Sequence, residues 1–138
     1  LSFNTAGLPD NAIIKSVTLK IRKQSLVGTD PFTTHGNLLA EIRMPYFGTN
    51  ATLVAGDFQA AANKTGGLFG ITPVSNWYSV TIGAASFPFV NLTGTTQFRL
   101  RFQKDDNDDL SADYMKFFSA NYATASVHPT LIIQYTVP

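Results

Sequence analysis

The chain has 138 residues, enough for one domain with a core that needs no staples. Hydrophobic residues make up 44% and charged residues 14%, so Thr, Ser, Asn and Gln must cover much of the surface, as they do on many secreted β proteins. A net charge of +1 with scattered Lys and Arg argues against a nucleic-acid binder, and the lack of Cys excludes a disulfide scaffold, a thiolate zinc site and a Cys nucleophile.

Leu1-Ser2-Phe3-Asn4 reads as a strand already under way. The expectation is therefore a single β-sandwich module over residues 1–138, lacking one or more N-terminal strands. Ala6 to Asn11 is a turn, since Pro9 and Asp10-Asn11 suit turn dihedrals. Ile13 to Lys23 alternates with a period of two, which predicts a strand with Val17, Leu19 and Ile21 inward. Val27 to Gly36 is a polar loop.

Leu38 to Met44 predicts a second alternating strand, with Leu38, Ala40 and Ile42 inward, Glu41 and Arg43 outward as a surface pair, and Pro45 as its stop. Residues 57–62, Asp57-Phe58-Gln59-Ala60-Ala61-Ala62, are the one helical piece, capped by Asp57 and ended by Gly66-Gly67. Trp77 to Ile82 and Thr95 to Phe102 are strands. In the second, Phe98, Leu100 and Phe102 point inward and Arg99 and Arg101 outward. Tyr114 to Ser119 is strand-like, and Pro129 opens a last strand carrying Leu131, Ile133, Tyr135 and Val137 on one face. Six or seven short strands with turn signals between them predict an all-β, antiparallel, jelly-roll-like sandwich. No run of residues is long and apolar enough to suggest membrane insertion.

Five of the nine carboxylates fall within Lys104 to Asp113. Carboxylates this close repel unless cations or N–H groups offset them. Asp105, Asp106, Asn107, Asp108, Asp109 and Asp113 offer the oxygens that a structural Ca2+ ion takes from a flexible loop. The alternative is a solvated acidic turn balanced by Lys104, Lys116, Arg99 and Arg101. Asp105, Asn107 and Asp109 follow the first EF-hand ligand positions, but Leu110 replaces the Gly at position six and Lys116 the Glu at position twelve, so this is no EF-hand.

Catalytic signals are sparse. Glu41 is the only Glu, His35 and His128 are far apart, and no nucleophile motif occurs. Sugar binding asks for exposed aromatic rings, for which Tyr46, Trp77 and Tyr122 are the candidates. Trp77 is out of register with the inward Tyr78, Val80 and Ile82, so it either shows a face to solvent or packs at the strand start. Asn50, Asn63 and Asn91 open N-x-T sequons and are candidate surface glycosylation sites.

Ser2-Phe3-Asn4-Thr5, Leu8-Pro9 and Ile14 to Ile21, then Asp57-Phe58-Gln59-Ala60 and Asn76 to Val80, and finally Phe117-Phe118-Ser119 and His128 to Tyr135, resemble the DNRLRE-type module. The resemblance covers nearly the whole chain, through core positions. It implies a jelly-roll-like sandwich of secreted or cell-surface bacterial and archaeal proteins, some of them carbohydrate-binding, with neighbouring domains and polysaccharides such as alginate as partners. The expected function is a non-catalytic, extracellular binding or adhesion module. The alternative is a subunit of an extracellular fibre, which self-assembles when an open sheet edge accepts a strand from another chain.

Overall fold

The computed structural model describes residues 1–138, and the chain forms two antiparallel sheets packed face to face. The strands are β1 (Ser2–Asn4), β2 (Ile13–Gly28), β3 (Leu38–Arg43), β4 (Lys64–Leu68), β5 (Trp77–Thr81), β6 (Thr95–Phe102), β7 (Asp113–Phe117) and β8 (Thr130–Thr136). The first sheet runs β1-β6-β3-β4. In the second, β5 lines one side of β2, while β8 and β7 follow each other along the other side. That arrangement shows at mid-strand, where the Lys23 N–H donates to Asn76 O while Arg22 O, pointing the opposite way, accepts from the Phe118 N–H.

The alternation works as expected in the centre. Val17, Leu19 and Ile21 of β2 meet Leu38, Ala40 and Ile42 of β3 and Phe98 of β6 in a cluster of 12 buried residues. Each such Val, Leu, Ile or Phe side chain contributes roughly 1.5–3 kcal/mol on burial. No helix is long and apolar enough to cross a membrane.

Three expected elements differ. The strand expected over Ile13–Lys23 runs on to Gly28, because a register shift between Lys23 and Ser25 lets its second half pair with β7. The loop from Val27 contains the one α-helical turn, α1 (Pro31–Thr34), with Pro31 at its start and Asp30 Oδ1 accepting the Phe32 N–H. The helix expected over 57–62 is instead a single 3-10 turn, Ala55–Phe58. A helix over 57–62 would use the carbonyls of Asp57 and Phe58, and both, together with that of Ala60, accept from Arg99 Nη1, at 2.7, 3.0 and 2.7 Å. Gly66-Gly67 belongs to β4, where a Cβ on Gly67 would sit 2.8 Å from Val80 Cγ2 and 2.9 Å from Thr81 O. The glycines let β4 approach the second sheet.

Candidate functional site

The outer face of the first sheet is covered around Glu41 and Arg99. Residues 45–62 fold over it, anchored by Arg99. Beneath them Glu41 is almost fully buried, and its partners are Arg99 (Nη2–Oε2 2.6 Å) and Arg101 (Nη2–Oε1 2.9 Å), not Arg43. Burial pushes the Glu41 carboxyl up, but hydrogen bonds from Arg101 and Arg99 and their charges outweigh it and leave the group below its ordinary value. Arg99 also lies over the Phe47 ring, 4.5 Å from its centre. A recess of about 290 Å3 opens between this cover and the sheet edge, lined by Phe47, Leu53, Phe58, Phe98 and Leu100.

The outer face of the second sheet is bare. Lys20 and Arg22 of β2, Trp77 of β5, Lys116 of β7 and the following Phe118 share it, because cross-strand neighbours point to the same side. Trp77 faces Arg22 across the ladder, with Lys20 5.4 Å and Arg22 6.0 Å from its ring centre. On the other side of Arg22, the Phe118 ring meets Tyr122 at 4.7 Å. The row Trp77–Arg22–Phe118 therefore spans two strand spacings, roughly 10 Å. None of Lys20, Arg22 and Lys116 forms an ion pair, and no carboxylate points from this face. Trp77 is not a core residue. It and Tyr122 come together on one face, whereas Tyr46 is half-buried beside the other sheet. Phe118 and Arg22 were missed from sequence, although alternation around Ile21 and Phe117 already pointed them outward.

The acidic loop joins β6 to β7. Asn107 Nδ2 donates to Asp109 Oδ2 and to Asp113 Oδ2, each at 2.9 Å. Asp113 starts β7 opposite Gly28, and its side chain is only 3% exposed. Asp106 and Asp108 are exposed, and Asp106 Oδ1 accepts the Asp108 N–H. No group of three or more His, Cys, Asp or Glu side chains converges here; two carboxylates and one amide do. Of the expected balancing cations, Arg99 and Arg101 hold Glu41 and Lys116 lies over Tyr114, while Arg101 also feels the charge of Asp105, and Lys104 lines the same groove as Asp105.

Between β6 and β7 lies a groove of about 710 Å3, lined by His35, Leu100, Phe102, Asp105, Asp113 and Met115 among others. His35 Nδ1 approaches Asp113 Oδ2 to 3.9 Å but shares a hydrogen bond with Thr34 Oγ1 at 2.7 Å. No Ser, Thr or Cys lines this groove. His128 Nε2 is held by Tyr122 O at 2.6 Å.

The three sequon asparagines differ. Asn50 is exposed on the covering segment, where its Oδ1 accepts the Thr52 N–H. Asn63 is half-buried and accepts the Met44 N–H. Asn91 is not the free surface amide expected: its Nδ2 donates to Thr95 O, and its Oδ1 accepts from Thr93 N and Oγ1.

Comparison with family models, with curated proteins and with solved structures finds no match to this chain. The DNRLRE-type assignment thus has only its residue pattern behind it.

Proposed function

We propose that this chain is a non-catalytic, extracellular binding module that takes an acidic polysaccharide on the bare face of its second sheet. The observation that carries this is Trp77, the sole Trp, standing outside the core beside two cations without acidic partners. An aromatic ring offers the apolar C–H face of a sugar a partner, and Lys20 and Arg22 offer its carboxylates one. A sheet face is flat and open at both ends, which suits a long polymer better than a small molecule. Glu41, the one Glu, is committed to two arginines and is not available as an acid or base. The test is electrophoresis through gels containing alginate, polygalacturonate or neutral dextran. Retardation in the uronate gels only, lost in Trp77→Ala and Arg22→Ala, is expected. Equal mobility in every gel would refute the assignment.

A second observation supports self-assembly by strand addition. β1 covers β6 only as far as the Leu1–Phe98 pair. Since β3 takes the main-chain groups of Arg99, Arg101 and Gln103, alternation leaves those of Leu100 and Phe102 facing the groove unpaired. An extended strand from another copy would complete this edge. Electron microscopy of concentrated protein showing only monomers would exclude it.

A further inference from the structure

The acidic loop has one property that loop geometry alone does not explain. The Asp113 side chain is only 3% exposed, its Oδ2 is satisfied by Asn107, and its Oδ1 is buried with no hydrogen-bond partner at all. A buried, half-satisfied carboxylate is costly unless a charge completes it. None of the five loop carboxylates pairs with Lys or Arg, and His35 at 3.9 Å is beyond hydrogen-bond reach. The groups that do turn toward Asp113 are Asn107 and, through it, Asp109. Asp105 lines the same groove.

We propose that Asn107, Asp109 and Asp113 hold a single Ca2+ ion, with water filling its remaining positions. In the structure the Asn107 NH2 group is the positive partner between two carboxylates. Turning that amide by half a turn puts Oδ1 in its place and makes an all-oxygen set around the orphaned Asp113 carboxylate. Oxygen donors from an irregular loop suit Ca2+, which accepts six to eight ligands in flexible geometry. Mg2+ demands a near-octahedral shell and gives up water reluctantly. Asp106 and Asp108 are left outside this set: Asp106 Oδ1 is taken by the Asp108 N–H, and the Asn107 amide donates to Asp109 and Asp113 instead. The ion ties the loop to the start of β7 and so fixes the β6–β7 connection.

The experiment is calorimetric titration of chelator-treated protein with CaCl2, alongside thermal melts with CaCl2 or MgCl2. Tb3+ luminescence, sensitised by the neighbouring Tyr114, reports the location. One Ca2+ per chain and a Ca2+-dependent rise in Tm that Mg2+ does not reproduce are expected. Asp113→Asn and Asp109→Asn should weaken Ca2+ at least tenfold, and Asp106→Asn and Asp108→Asn less than threefold. Should Asp113→Asn fail to fold, Asn107→Ala and Asp109→Asn carry the test from the loop itself. No saturable binding at millimolar Ca2+, or equal losses in all four Asp variants, would overturn the site. The second outcome would mean diffuse attraction to a negative loop.

Discussion

The two outer faces of this sandwich start from similar ingredients and end differently. Each sheet points basic side chains outward: Arg99 and Arg101 from the first, Lys20, Arg22 and Lys116 from the second. On the first face Glu41 lies between the arginines, and residues 45–62 cover Glu41 and Arg99 with main-chain carbonyls supplied to Arg99, while the Arg101 side chain stays 47% exposed. On the second face there is no carboxylate, and only Tyr122 packs over its edge at Phe118, so the cations meet aromatic rings instead of acceptors. One face spends its charge on holding the molecule together; the other keeps its charge available. A cationic side chain is therefore structural or functional according to whether the fold brings it an acceptor.

Arg99→Ala tests the covered face most severely. It strips Glu41 of one arginine and leaves three carbonyls without their donor, at a cost of about 3 kcal/mol in denaturant unfolding. A loss below about 1 kcal/mol would show that the cover stands without it.

The same network sets the response to acid. Glu41 titrates below its ordinary value when folded, so its contribution is complete above about pH 4.3, the unfolded value, and disappears as pH falls through the folded one. Thermal melts between pH 6 and 3 should show Tm falling at the acid end, with a shallower fall in Glu41→Gln. Parallel curves for the two proteins would place the acid sensitivity elsewhere.

On the bare face the order of effects reverses. Trp77→Ala should cost about 1 kcal/mol or less of stability but weaken uronate-polymer binding about tenfold, which corresponds to about 1.4 kcal/mol. Intrinsic fluorescence of the single Trp reads the same event without a label. The smallest stability effect belongs to Arg22→Ala, expected within about 0.5 kcal/mol of the parent. Its retardation by uronate gels should drop and should fade with added salt in the parent too, since exposed charges are screened. A large destabilisation in Arg22→Ala would mean that the two faces are not opposites after all.

Period-two alternation made the core legible residue by residue, because a strand between a core and solvent must obey it. Val17, Leu19, Ile21, Leu38, Ala40, Ile42 and Phe98 all lie where the pattern put them. The helix at 57–62 failed because local propensity competed with a tertiary donor, Arg99, some forty residues away. β4 was hidden because Gly66-Gly67 looks like a stop signal locally, and only the approach of Val80 and Thr81 explains it. In the acidic loop the sequence marked six candidate oxygen donors but not their directions.

What the sequence determined by itself is the sandwich class, the inward set of side chains and the concentration of acid between β6 and β7, since all three depend on local pattern and composition. The tertiary structure decided which charges find partners: Glu41 with Arg99 and Arg101, Asn107 between Asp109 and Asp113, and Trp77 against Lys20 and Arg22. The Glu41 and Trp77 pairings join residues on different strands, and no local rule of spacing sets the distance between them; in the acidic loop the path of the chain sets which carboxylates Asn107 meets.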